Sequence, residues 1–151
     1  MKHVLFVDVR NATRSQIAEA WFTHLTGAPA QASSCGTLPA KRVSVNAIQV
    51  MSNLGIDISR KWPKPITQRL LNRADIVVFI GTAIYPRVHS SFRVWDFEDT
   101  AGRPIGQVQD QCNQICRHVE QLIAEIAQEE AVPAWVDWDM FLPGQLQQAW
   151  N

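Results

Sequence analysis

The chain has 151 residues, enough for one domain with a proper core and too few for two comfortable ones. Its 14 Lys and Arg balance 14 Asp and Glu, so no basic excess recommends nucleic acid or an anionic membrane as partner. No apolar run approaches a membrane span and no signal-peptide pattern opens the chain, so a cytoplasmic protein is expected.

Taken in chain order, the apolar run over 3–7 reads as a buried strand, with Asp8 directly after it. From Ser15, the residues Ile17, Ala18, Trp21, Phe22 and Leu25 have helical spacing that ends at Gly27. A short strand is expected over 30–37. Ala47, Ile48, Val50, Met51 and Leu54 predict a second helix stopped by Gly55. Pro63 and Pro65 punctuate a linker, and 66–73 reads as helix. Residues 76–80 are the clearest buried strand, closed by Gly81, and 92–97 is a further short strand. A long amphipathic helix is expected over 104–128, with Val108, Ile115, Val119, Leu122 and Ile126 on its apolar side.

This alternation predicts a single α/β domain over 1–131, in three layers. Its core is a four-stranded, mainly parallel sheet with helices on both faces. From Val132 the character changes: Trp135, Trp138, Phe141 and Trp150 are interleaved with Pro133, Pro143, Asp137 and Asp139. Residues 132–151 are expected to be a C-terminal arm packing its aromatics onto the body; the alternative is a partner-binding or dimerising surface.

Ligands in parallel sheets bind beyond the carboxyl ends of the strands, which is where the segment after Asp8 falls. A strand, a tight loop and a helix N-terminus make an anion cradle. Loop amides converge, the helix end adds positive potential, and an Arg grips oxygens bidentately. Arg10, Asn11, Ala12, Thr13, Arg14 and Ser15 are therefore the expected anion-binding residues, for phosphate, sulfate, arsenate or a phosphorylated ligand. Cys35, Cys112 and Cys116 form neither a metal-ligand nor a disulfide framework, and no cofactor or metal is assigned. Cys112 and Cys116 lie one helical turn apart and read as core or boundary residues. His3, His24, His89 and His118 have no ligand spacing. Lys41-Arg42 and Arg60-Lys61 read as solvated charge, and Arg87 and Arg93 as partners of Glu98 or attractants for an acidic ligand.

With these segments in hand, the chain resembles the low-molecular-weight protein tyrosine phosphatases and, more closely, the related thioredoxin-coupled arsenate reductases. Their pattern is a strand, then Cys-x-x-Asn-x-x-Arg-Ser, then a helix beginning Ser-Gln-x-Ala-Glu-Ala. The stretch V-L-F-V-D-V-R-N-A-T-R-S-Q-I-A-E-A matches it at every marked position except the Cys. S-S-C-G-T-L-P, A-I-Q-V-M-S-N-L-G-I-D-I-S, A-D-I-V-V-F-I-G and W-D-F-E-D-T-A-G resemble later family segments, in order, as far as about Ala127. The resemblance implies Arg14 as the oxyanion-binding arginine, Asn11 and Ser15 as loop-shaping residues, and Asp99 at the position of the general acid. Asp99 is followed by Thr100 where the family usually has Pro. In some arsenate reductases a potassium ion sits beside the loop; Glu19 and Ser34 match positions of that site, while Trp62 and Lys64 fall where other ligands would be expected, so that the Lys64 ammonium could replace the ion.

Asp8 stands where the resemblance places the nucleophilic cysteine, and Gly81-Thr82-Ala83-Ile84-Tyr85-Pro86 has no cysteine where the reductases keep a resolving pair. A thiol cascade for arsenate reduction is therefore not expected. A carboxylate attacking phosphorus normally works beside a bound metal ion, whereas its two oxygens can themselves accept from loop amides and Arg14. The expectation is a non-catalytic, regulatory homologue whose Asp8 occupies its own cradle. The alternatives are a phosphate-monoester hydrolase in which Asp8, Asp96 and Asp99 hold Mg²⁺, with Asp8, Arg14 and Asp99 catalytic, or a natural cysteine phosphatase inactivated by substitution at position 8.

Overall fold

The computed structural model describes residues 2–28, 31–81 and 91–131. Among the described residues, eight elements follow one another: β1 (Val4–Asp8), α1 (Arg14–Thr26), β2 (Ala32–Gly36), α2 (Val45–Asn53), α3 (Gln68–Arg73), β3 (Ile76–Ile80), β4 (Phe92–Trp95) and α4 (Ile105–Ala131). The four strands form one sheet in the order β2-β1-β3-β4, and each neighbouring pair runs parallel. The expected α/β domain with a parallel sheet between helices is thus the observed one.

Alternation along the two central strands separates the faces. Val4 and Phe6 of β1 and Ile76, Val78 and Ile80 of β3 pack with residues of α1, α2 and α4. Leu5, Val7, Val77 and Phe79 pack with Cys35 and with Leu71 of α3 on the opposite face. Because both faces are covered, β1 and β3 are apolar at every position but one, and that one is Asp8. On α4, Val108, Cys112, Ile115, Val119, Leu122 and Ile126 form the buried stripe that period-3.6 spacing requires.

Element limits differ from the sequence reading where capping decides them. Helix α3 begins at Gln68 rather than at 66, because the Thr67 side chain accepts from the Leu70 amide (3.2 Å). Ile66 instead donates its amide to Gly36 O, at a short parallel bridge between Pro65 and Gly36. Strand β4 ends at Trp95, since pairing with β3 stops at Ile80. Helix α4 continues to Ala131. The arm over 132–151 and the stretch 82–86 lie outside the described residues.

The chain leaves β1, adds β2 on one side, and later adds β3 on the other. The carboxyl end of β1 is therefore the point at which strand order reverses, where parallel sheets open a crevice. Asp8 is the last residue of β1.

Candidate anion-binding site

The loop from Val9 to Thr13 joins β1 to α1, and its shape depends on Asn11. Asn11 is wholly buried and has φ +50°, a left-handed conformation that Asn tolerates better than most residues. Its Nδ2 donates to Ser15 Oγ (2.7 Å), while its Oδ1 accepts from Gln16 Nε2 (3.1 Å) and the Lys64 amide (2.9 Å). Gln16 Nε2 also reaches Asn11 O and Trp62 O, both at 3.2 Å. The loop is thereby tied to its helix and to the linker at 62–64.

A second wall comes from the segment after β2. Leu38 N donates to Val9 O (2.8 Å), Ala40 N to Arg10 O (2.8 Å) and Ser44 N to Ala12 O (2.9 Å). Gly36 permits this approach: a Cβ there would lie 2.6 Å from Val9 O and 3.0 Å from the Asn11 amide nitrogen.

Asp8 forms the floor and is 1% exposed. Its Oδ1 accepts from the Asn11 amide (2.6 Å) and its Oδ2 from the Ser15 amide (3.0 Å). Thr13 stands at the N-cap position of α1 and makes no side-chain cap, so Asp8 supplies the acceptor for the first turn. Burial pushes the Asp8 carboxyl above its ordinary value, against the opposing pull of the Ser15 amide, the Arg14 charge and the Asn11 amide.

Arg14 is 4% exposed, and its Nη1 donates to Phe97 O (2.8 Å). Among the described residues Asp8 and Arg14 form no ion pair. The expectation that the carboxylate takes up both loop amides and the arginine is thus corrected at Arg14, which the Phe97 main-chain carbonyl, two residues beyond β4, holds instead. The amides of Arg10, Ala12, Thr13 and Arg14 have no acceptor among the described residues.

Asp8, Arg10, Ala12, Thr13, Arg14 and Asp99 all border one cavity of about 190 Å³, completed by residues of the 40–44 wall and by Ala101 and Gly102. A second hollow of about 510 Å³ adjoins it, sharing Arg10, Arg14 and Asp99 and adding Val94, Trp95 and Phe97. Asp99 is exposed, and its Oδ1 accepts from the Ala101 amide (2.9 Å). Asn11 and Ser15 act from beneath, through hydrogen bonds rather than as lining.

Other sequence expectations fare differently. Asp8, Asp96 and Asp99 do not assemble: among the described residues no three His, Cys, Asp or Glu side chains are placed to hold a metal ion. Asp8 is enclosed by loop amides whereas Asp96 and Asp99 are exposed, so the Mg²⁺ arrangement is corrected. The Lys64 ammonium turns to Trp62 O (3.4 Å) and lies 5.8 Å from the Trp62 ring centroid. Glu19 accepts from Ser34 Oγ (3.2 Å), and Lys64 serves the loop through its backbone amide. Arg93 pairs with Glu125 (3.7 Å), and Glu98 with Arg103 (3.4 Å). Cys35 is buried beside Val7, its thiol pushed up to about 12 chiefly by burial; Cys116 is pushed up to about 11.

The sequence reading missed Arg42, Ser44, Phe97 and Gly81. Gly81 appeared only as a strand stop. Its φ is +57°, and a Cβ there would collide with Arg14 Nη1 and Phe97 O.

A parallel α/β sheet with an amide-lined loop at its switch point defines the class of fold. The family model for low molecular weight phosphotyrosine protein phosphatase matches residues 3–133, and the chain belongs to that family. It is 34% identical over 132 residues to the glutaredoxin arsenate reductase of Synechocystis sp., covering 84% of this chain and all of that protein. Among solved structures, an arsenate reductase in its phosphate-binding state superposes with TM-score 0.75 at 33% identity, over 83% of this chain and 99% of the other. The thioredoxin-dependent arsenate reductase of Corynebacterium glutamicum gives TM-score 0.72 at 27% identity; the match covers 85% of this chain and 63% of that longer one.

Proposed function

We propose that this protein is a non-catalytic, oxyanion-binding member of its family, in which Asp8 takes the place of the nucleophilic cysteine. One observation carries the reading. The Asp8 carboxylate is fastened to the floor of the loop by the Asn11 and Ser15 amides, while the amides of Arg10, Ala12, Thr13 and Arg14 are left for a ligand. In this reading Arg10, Asn11, Ala12, Thr13, Arg14 and Ser15 bind or shape the site for phosphate, sulfate, arsenate or a phosphorylated ligand. Asp99 keeps the general-acid position without a nucleophile to serve.

The chemistry of the remaining thiols supports the absence of thiol-based reduction. Cys35 is enclosed in the sheet, and with its thiol near 12 it holds almost no thiolate at neutral pH. Cys112 is likewise buried. Regulation of another protein through a bound phosphoryl group fits a family member that retains the cradle and has lost the attacking atom.

The test is calorimetric titration of sulfate, phosphate and arsenate into the protein and its Asp8→Ser variant. A carboxylate beneath the ligand repels it, so the variant is expected to bind on the order of ten-fold more tightly. Equal affinities would show that no anion sits above Asp8. Measurable turnover of an aryl phosphate by the unmodified protein would overturn the non-catalytic reading.

A further inference from the structure

The cradle faces more positive charge than a single oxyanion requires. Arg10 and Arg42 are both exposed and border the same cavity as the unpaired loop amides. Neither guanidinium has an ion-pair or hydrogen-bond partner among the described residues. Arg42 is not simply a surface charge that happens to be near. The Ala40 amide is fastened to Arg10 O and the Ser44 amide to Ala12 O, so Arg42 sits midway along a wall bonded to the loop at both ends.

Resting on the anion-site reading, we infer that the ligand carries two adjacent anionic groups. One sits on the amides of Ala12, Thr13 and Arg14, and the other between Arg10 and Arg42: a diphosphate rather than a simple monoester. Charge supports the larger ligand. Arg10, Arg14 and Arg42 surround the cavity, and among the described residues Asp8 and Asp99 are the acids that line it. Asp8 is already engaged with two amides, and Asp99 with the Ala101 amide, so neither neutralises the outer arginines by direct contact. The cavity, about 190 Å³, exceeds the room a single tetrahedral oxyanion fills. Each guanidinium offers a planar fork suited to two oxygens of one phosphoryl group. The adjoining hollow is the competing seat: Val94, Trp95 and Phe97 there would suit a monoester with an apolar body.

The experiment is calorimetry on the full chain with three probes, namely inorganic phosphate, pyrophosphate and phenyl phosphate, at matched ionic strength. Pyrophosphate is expected to bind about ten-fold more tightly than phosphate, the scale of one charge-assisted contact. Arg42→Gln should weaken pyrophosphate about five-fold or more and phosphate much less. Lys61→Gln, which removes a charge not on the cavity, should leave the preference intact. Equal affinity for pyrophosphate and phosphate, or a preference for phenyl phosphate, overturns the diphosphate inference while the anion site stands. No binding of any probe, or binding indifferent to Arg14→Gln, overturns the anion site itself and this inference with it.

Discussion

Burial at Asp8 works against two amide hydrogen bonds and a neighbouring guanidinium, and it prevails: the carboxyl lies above its ordinary value of 3.8. An acid with a raised value in the fold takes up a proton on folding. Its contribution to stability is therefore complete below 3.8 and is lost as pH rises through the folded value. On the proposed reading the same proton bears on ligand binding, because a neutral Asp8 no longer repels an oxyanion. Sulfate keeps its charge across this range, so its affinity isolates the protein's own titration. Sulfate binding is expected to strengthen as pH falls through the Asp8 midpoint, and to show a smaller pH dependence in Asp8→Ser. Identical pH profiles for the two proteins in a titration series would exclude Asp8 as the responsible group.

The elements around the loop show how little room the site has. Strand β3 ends at Gly81, whose left-handed backbone lets Arg14 Nη1 and Phe97 O meet directly over it. Gly81→Ala adds backbone strain of about 1–2 kcal/mol and drives a methyl group into the guanidinium. Gly55, after α2, has φ +79° with nothing within 4 Å of an added Cβ, so Gly55→Ala suffers the strain alone. Both variants are expected to unfold at lower urea, and only Gly81→Ala to lose anion affinity. Retained affinity in Gly81→Ala would mean that the Arg14–Phe97 contact does not set the arginine for binding. Helix α1 carries the same lesson from the other side. Its Thr13 leaves the first turn uncapped, and the cap comes from Asp8 in the preceding strand. Strand and helix are thus joined through one side chain as well as through the loop.

Across the whole molecule, the parallel sheet was legible because β1 and β3 are unbroken apolar runs and α4 carries a clean helical stripe. Asn11, Arg14 and Ser15 were marked by the loop's resemblance to the family pattern Asn-x-x-Arg-Ser after a strand. Arg42, Phe97 and Gly81 were not, since their importance depends on which distant segments fold against the loop. A charge pair at 41–42 looks like any solvated surface until Ala40 and Ser44 are seen bonded to residues 10 and 12. The helix-side core is one continuous cluster running from β1 through α1, α2 and α4. Ile115, fully buried in it, should lose about 2–5 kcal/mol on truncation to Ala. The exposed neighbour Asn113 should change by no more than about 0.5 kcal/mol as Ala. Urea unfolding of the two variants checks the contrast, and equal losses would show that α4 is not packed along this stripe.

The hydrogen bonds that hold the loop open have a thermodynamic consequence for whatever enters it. Asn11 is locked by Ser15, Gln16 and the Lys64 amide, and the wall at 38–44 clamps the carbonyls of Val9, Arg10 and Ala12. All of these contacts lie within the folded chain, so aligning the donors is completed before any ligand arrives. The entropy of ordering them belongs to folding and does not oppose binding. On the proposed reading, the cradle is organised by the fold itself and selects its guests by geometry and charge.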